Sequence, residues 1–209
     1  TRIGTDAGRM EVQMKFPYHT ICVFCGSADG LAEEYFAAAR AMGRLLAEND
    51  IRLVYGAGRT GMMGALAEGA LGAGGEVIGV VPKGLESPQL ICTTGLTRLE
   101  IVEDIQLRKA RMNELGEAFI ALPGGFGTLD EIFEVLTWSQ IGRHRKPSAF
   151  LNTNGYFDSL LAWIRRAYED HFIYEEHLDL FMAHAEPEGL LEQLAQYRFP
   201  ANMERWLER

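Results

Sequence analysis

Short apolar runs alternate with amphipathic stretches from about residue 18 onward. The runs are rich in Val, Ile, Leu and Phe, which is typical of strands buried on both faces of a sheet. They predict strands at 20–25, 51–55, 76–81, 97–102, 117–122 and 147–151, and a weaker seventh at 180–185. Between the runs, apolar residues recur at helical spacing and predict helices at 31–48, 61–73, 104–116, 129–141, 155–169 and 187–197.

This regular alternation predicts the fold class. Strand, helix, strand in succession favours crossover connections onto a parallel sheet. We expect a doubly wound, Rossmann-like α/β sheet flanked by helices. No Pro/Ser-rich linker, repeat or low-complexity segment divides the sequence, so residues 18–209 are predicted to form a single domain. Residues 1–17 lack the continuous apolar region of a secretory signal, and we interpret them as a disordered leader or expression remnant.

Composition limits the kinds of binding partner and the cellular compartment that we expect for this protein. The net charge is −9 and the 20 Lys and Arg residues form only two short clusters, so a nucleic-acid partner is not expected. No apolar run reaches the roughly 18 residues that a membrane span requires. Three cysteines are too few for a disulfide framework and favour a reducing, cytoplasmic location. Cys22 and Cys25 lie three apart in a predicted strand and hence on opposite faces, so core packing is favoured over metal binding.

The five histidines show no metal-binding spacing, and no serine-hydrolase motif is present, so we expect neither a metal nor another cofactor. The acidic stretch 169–179 is interpreted as a solvated connection.

Glycine-rich loops follow several predicted strands, where ligands bind in doubly wound folds. Gly56, Gly58 and Gly61 form G-x-G-x-x-G between a strand and a helix, as in dinucleotide-binding proteins. That fingerprint also requires an acidic residue about 20 positions later, and residues 77–85 contain neither Asp nor Glu. An NAD site is therefore disfavoured, and both a phosphate site and tight strand-to-helix packing remain open for this loop.

A second glycine-rich segment, LPGGFGTLDE at 122–131, also has two interpretations. Thr128 could be the N-cap of the following helix, with Glu131 as its capping-box partner. Alternatively, Gly124, Gly125 and Gly127 expose backbone donors for an anion, because a cap alone does not require three glycines. Both interpretations can hold together.

Two charged residues lie on partly apolar helix stripes. Glu131 shares a stripe with Val135 and Trp138, opposite the main apolar face of its helix, which suits a site wall or a subunit interface. Arg108 falls on the face formed by Ile105, Met112 and Leu115, and Lys109 sits at the edge of that face. A buried Arg needs a partner, so Arg108 makes either a structural ion pair or a contact to a ligand's phosphate or carboxylate.

These segments resemble the LONELY GUY family of cytokinin-activating phosphoribohydrolases, once mislabelled as lysine decarboxylases. The segment 122–131 resembles the family signature P-G-G-x-G-T-x-x-E, and related blocks occur in order. These blocks are CGS (25–27), YGAGRTGMMG (55–64), GGEVIGVVPKGL (74–85), LRKARM (107–112) and LTWSQIGRHRKP (136–147). The resemblance covers roughly residues 18–195. Two positions depart from the family pattern, Gln106 in place of His and Ala57 in place of Gly, which puts the base preference in question.

The resemblance implies catalysis by Arg108 and Glu131. It also implies hydrolysis of the N-glycosidic bond of adenosine-type 5′-monophosphates, a homodimer with its site near the interface, and no cofactor. The implied substrate and phosphate contacts are Ser27, Gly58, Lys109, Gly124, Gly125, Phe126, Gly127 and Thr128.

The main alternative is a non-catalytic nucleotide carrier that resembles molybdenum-cofactor carriers. Such a carrier would need only the glycine loops, so the presence of both Arg108 and Glu131 favours an enzyme. A lysine decarboxylase is disfavoured because no Lys lies in a recognisable pyridoxal-phosphate context.

Overall fold

The computed structural model describes residues 16–201 and residue 203. Within them, seven parallel strands form one sheet in the order β4-β3-β2-β1-β5-β6-β7. The strands are β1 (Thr20–Phe24), β2 (Arg52–Tyr55), β3 (Val77–Pro82), β4 (Arg98–Val102), β5 (Ala118–Ala121), β6 (Ser148–Leu151) and β7 (Phe181–His184). All seven strands are confirmed, with every boundary within one residue of its predicted position. The predicted leader lies almost wholly outside the described residues.

The sheet is covered by helices on both faces, as the alternation predicts. The helices are α1 (Glu33–Glu48), α2 (Gly61–Gly72), α3 (Ile105–Leu115), α4 (Phe126–Gln140), α5 (Asp158–Glu169) and α6 (Pro187–Gln196). Two short 3₁₀ helices span Thr153–Gly155 and Glu175–Leu180. The doubly wound, single-domain α/β fold is thereby confirmed. Among the described helices, none combines the length and apolar character needed to cross a bilayer.

Alternating residues of the inner strands build two cores, one on each face of the sheet. Ile21 and Val23 face a core shared with α1, α2 and α6, whereas Cys22 and Phe24 face a core shared with α3, α4 and α5. Cys25 joins the first core, so the two cysteines pack on opposite faces as expected. Because both faces of the inner strands are covered, these strands are mostly apolar, whereas the edge strand β4 carries Arg98 and Glu100.

The chain order places a topological switch point at the centre of the sheet. From β1 the chain moves outward through β2 and β3 to β4, then returns to β5 on the other side of β1. In doubly wound folds such a reversal opens a crevice at the carboxyl ends of the two strands. Here those ends carry the segments after Phe24 and Ala121, both of which are glycine-containing.

The capping-box interpretation of Thr128 is wrong. Helix α4 begins three residues before the predicted start, at Phe126, with Gly125 as its N-cap and without a side-chain cap. Thr128 therefore lies inside the first turn and is buried. The helix starts early because the backbone of 125–127 itself adopts the turn, so no side chain is required to initiate it.

Three smaller expectations are also corrected. Ile105 is exposed rather than part of the buried face of α3, which is formed by Lys109, Met112 and Asn113. The segment 169–179 is only partly a solvated connection, because His177 is buried in the second 3₁₀ helix. Helix α5 starts at Asp158 rather than 155, because a 3₁₀ turn precedes it.

Candidate active site

A cavity of about 460 Å³ opens at the switch point between β1 and β5. Its walls come from the segments after these two strands, the start of α2, the first turns of α4, and single residues of α1 and α3. The lining residues are Cys25, Gly26, Ser27, Ala28, Leu31, Tyr35, Met62, Met63, Arg108, Pro123, Gly124, Gly125, Gly127, Thr128, Glu131 and Tyr156.

Arg108 and Glu131 meet on the inner wall of this cavity. Arg108 Nη1 lies 3.4 Å from Glu131 Oε1, and the two side chains are only 11% and 8% exposed. Arg108 Nε also donates a hydrogen bond of 3.1 Å to the carbonyl oxygen of Val80, within β3. The guanidinium is thus fixed from the sheet side and presents its outer nitrogens to Glu131 and the cavity.

The Glu131 carboxyl has an unusual protonation equilibrium. Burial raises its pKa to about 7, and the nearby Arg108 charge offsets only part of this effect. A carboxyl with such a pKa is present in both protonation states near neutral pH, which suits a group that must accept and release a proton.

The glycines of G-x-G-x-x-G make room for packing. A Cβ at Gly56 would overlap the guanidinium of Arg108, and one at Gly58 would lie 2.6 Å from the Met63 sulfur. Gly61 has φ +59 and packs on the backbone of Ser27 and Ala28. The packing interpretation is therefore the one that the geometry supports for this loop, and Gly56 gives Arg108 its place.

The second glycine segment forms the opposite wall. A Cβ at Gly124 would overlap the Thr128 hydroxyl and lie 2.9 Å from Gly26 N. Gly26 N itself donates a hydrogen bond of 3.1 Å to the carbonyl oxygen of Pro123, so the segments after β1 and β5 are tied together. The first amide groups of α4 have no intrahelical acceptor, and a helix N-terminus of this kind favours an anion.

The structure brings most of the predicted site residues to this one cavity, including Arg108, Glu131, Ser27, Gly124, Gly125, Gly127 and Thr128. Three others do not line it. Gly58 lies behind Met63. The Phe126 side chain is 95% exposed at the start of α4. The Lys109 ammonium binds the carboxylates of Glu134 at 2.6 Å and Asp130 at 3.0 Å, between α3 and α4.

The two positions that depart from the family pattern also lie away from the cavity lining. Ala57 is fully buried with φ 61 and packs toward Gly79 of β3. Gln106 is exposed in the first turn of α3. Neither residue is among those that line the cavity.

Tyr35 and Tyr156 are cavity residues that the sequence reasoning missed. Their rings meet edge to face with centroids 5.8 Å apart. The sequence pattern predicts a helix over 155–169, whereas Tyr156 lies in the turn that precedes α5. The preceding dipeptide Asn154-Gly155 is a turn signal that could have found it, and both residues indeed have positive φ.

Two further features bear on cofactors. Among the described residues, no group of three or more His, Cys, Asp or Glu is arranged to hold a metal ion. Cys22, Cys25 and Cys92 are free thiols. Burial raises the pKa of the Cys22 and Cys25 thiols, which keeps them protonated.

Fold and cavity together define a Rossmann-like α/β protein with a cavity at its switch point. The family described as "Possible lysine decarboxylase" matches residues 63–194 of this chain. A cytokinin riboside 5′-monophosphate phosphoribohydrolase of Rhodococcoides fascians is 49% identical over 74% of this chain and 78% of the relative. One of Arabidopsis thaliana is 42% identical over 90% of this chain and 87% of the relative. The chain therefore belongs to this family, the LONELY GUY family.

The fold also resembles that of a more distant protein. The solved structure of a molybdenum cofactor binding protein from Rippkaea orientalis has a TM-score of 0.65 and 21% identity, and covers 86% of this chain and 96% of that chain. At this identity the likeness concerns the fold alone.

Proposed function

We propose that this protein hydrolyses the N-glycosidic bond of adenosine-type nucleoside 5′-monophosphates, including N6-modified cytokinin nucleotides. The products are the free base and ribose 5-phosphate. The observation that carries the proposal is the buried Arg108–Glu131 pair in the same cavity as the N-terminus of α4. The relatives reported above are named for this reaction.

Glu131 acts on the ribose and on the attacking water. Cleavage of an N-glycosidic bond passes through an oxocarbenium-like state, in which the sugar carries positive charge. The carboxylate stabilises this charge and accepts a proton from water as the water oxygen bonds to C1′. The electron pair of the broken bond leaves with the base, which then takes up a proton.

Arg108 and the start of α4 hold the substrate. The α4 amides, with the hydroxyls of Thr128 and Ser27, bind the 5′-phosphate, because orphan backbone donors at a helix N-terminus favour an anion. The guanidinium of Arg108, which is fixed by its hydrogen bond to Val80, holds the nucleotide next to Glu131. No step requires a metal or a redox cofactor.

The assembly proposed for this protein is a homodimer. Four exposed apolar residues on β4, α3 and the start of α4 are called the apolar rim, namely Ile101, Ile105, Leu107 and Phe126. Exposed apolar surface is typical of an interaction site, and the rim is the interface proposed for the dimer. The free cysteines support a cytoplasmic location.

The test is an end-point assay on purified protein with AMP and, separately, N6-isopentenyl-AMP. Wild type is expected to release base and ribose 5-phosphate, whereas Glu131→Gln loses at least about a hundredfold in rate, because the proton acceptor is gone. Adenosine, which lacks the phosphate, should be a much poorer substrate. Binding of both nucleotides without release of base would reject the hydrolase and favour a carrier.

A further inference from the structure

Tyr156 makes one contact that the reaction outlined above does not use. Its hydroxyl donates a hydrogen bond of 2.7 Å to the carbonyl oxygen of Gly124. The C=O and N–H groups of a trans peptide point in opposite directions. This bond therefore directs the Gly125 N–H away from Tyr156, and Gly125 lines the cavity.

The Gly124–Gly125 peptide needs an external partner to fix its orientation. Glycine on both sides removes the steric barriers that a Cβ imposes on rotation. Gly124 is confined by Thr128 and Gly26, but a Cβ at Gly125 would meet no heavy atom within 4 Å. A rotated peptide would present the partially negative carbonyl oxygen in place of an amide donor, which would repel a phosphate.

Tyr156 is itself well placed to provide that fixation. Its backbone N–H donates a hydrogen bond of 3.1 Å to Thr153 O, and the next residue's N–H donates one of 2.7 Å to Asn152 Oδ1. Its ring packs edge-on against Tyr35 and Phe157. These contacts hold the Tyr156 side chain, and so its hydroxyl, in one position although the ring is partly exposed.

We propose that Tyr156 is a positioning residue for the 5′-phosphate. It acts through Gly124 by holding the peptide so that the Gly125 N–H joins the α4 amides at the anion site. The inference rests on the proposed function, since it names the residue that orients the peptide group where the 5′-phosphate of the proposed substrate binds. Tyr156 does not contact the reacting atoms, so its contribution falls on binding rather than on the chemical step.

The test compares Tyr156→Phe with Tyr168→Phe. Both variants keep their rings and lose one hydroxyl, but only Tyr156 bonds to Gly124, and Tyr168 lies in α5 outside the cavity lining. Loss of one hydrogen bond predicts a rise of about five- to tenfold in KM for AMP and in Kd for ribose 5-phosphate. We expect kcat to stay within about twofold and the affinity for adenosine to stay unchanged. Tyr168→Phe should match wild type in every measurement.

An NMR titration with inorganic phosphate gives a readout independent of turnover. The Gly125 amide resonance should shift in wild type and in Tyr168→Phe, and respond much less in Tyr156→Phe. Unchanged phosphate binding in Tyr156→Phe would overturn the proposal. So would an equal loss of ribose 5-phosphate and adenosine affinity, which would indicate a general structural role.

Failure of the proposed function would look different. If wild type binds ribose 5-phosphate and Tyr156→Phe weakens that binding, but neither releases base, only the hydrolase assignment fails. If wild type binds neither ribose 5-phosphate nor inorganic phosphate, both proposals fail.

Discussion

Glu131 carries its charge at a position that disfavours it. Burial raises its pKa to about 7 from an ordinary 4.5, and Arg108 only partly compensates. A carboxyl whose folded-state pKa exceeds its unfolded value binds protons more tightly in the folded state. Stability is therefore lost as the pH rises from about 4.5 to 7, and the loss stays complete above that range. Such a cost is typical of residues retained for activity.

This linkage predicts a pH-dependent stability difference for Glu131→Gln. The glutamine has no charge to bury, so between pH 5 and pH 8 the variant should gain about 2 kcal/mol in free energy of unfolding relative to wild type. Urea denaturation across this pH range measures the difference. Glu68→Gln, which removes an exposed carboxylate from α2, is the matched control. If the free energies of unfolding of Glu131→Gln and wild type change in parallel with pH, burial does not raise the pKa of Glu131 and the prediction fails.

Helix periodicity was sufficient to single out Arg108 and Glu131. Each is a charged residue on a partly apolar stripe, and such a residue requires a partner. Periodicity could not show that they are each other's partner, because that depends on how α3 and α4 are placed on the sheet. Tyr156 has no such signal, since a tyrosine in a loop is unremarkable until its hydroxyl is seen to bond Gly124.

At the scale of elements, Lys109 ties α3 to α4. Its buried ammonium lies between Glu134 and Asp130, directly beside the turn that carries Glu131. The carboxylate of Glu134 holds the pKa of Lys109 above its ordinary value. The neighbouring Arg108 and Lys109 thus point to different places: one to the cavity and one to the helix contact.

This geometry predicts a structural role for Lys109. Lys109→Met should lower the free energy of unfolding by about 2 kcal/mol, because it leaves two carboxylates facing each other without a cation. KM for AMP should change less than about twofold, since Lys109 does not line the cavity. Denaturation and steady-state kinetics measure the two effects. The double variant Lys109→Met/Glu134→Met should recover part of the stability. A large rise in KM with unchanged stability would instead make Lys109 a substrate contact.

The elements themselves could be predicted closely, and the exception is informative. Strand boundaries follow from apolar runs, because a strand that is covered on both faces is mostly apolar and the run therefore shows where the strand starts and ends. The Thr128–Glu131 pattern matches a capping box and predicts a later start for α4. In the structure the helix begins at Phe126, with Gly125 as its N-cap, and Thr128 is buried. A sequence pattern cannot show whether a Thr hydroxyl faces an amide or a neighbouring loop.

For the whole molecule, chain order determines where the site lies. Alternating strands and helices predicted a doubly wound sheet, and the carboxyl ends of the strands were expected to carry the ligand. The strand order was needed to show which ends meet. It places β5 beside β1, and so brings the glycine segment 122–131 against residues 25–28.

The same arrangement leaves the apolar rim exposed, and two of its members, Leu107 and Phe126, directly adjoin cavity-lining residues in the sequence. Ile101 lies on the edge strand β4, Ile105 and Leu107 on the first turn of α3, and Phe126 at the start of α4. Their burial against a second copy would remove apolar surface from water and cover an unpaired sheet edge. Both gains favour a homodimer whose interface borders the active site.

The dimer is tested with Ile105→Glu/Leu107→Glu, which places two carboxylates on the rim. Light scattering after size exclusion should give wild type a mass of two chains and the variant a mass of one, because burying unpaired charges is unfavourable. Base release should fall together with the dimer, since the rim borders the cavity. Phe172→Glu, on an exposed aromatic that follows α5 near the opposite edge of the sheet, should keep the dimer. A single-chain mass for wild type, or an unchanged mass for the double variant, would exclude the rim as the interface.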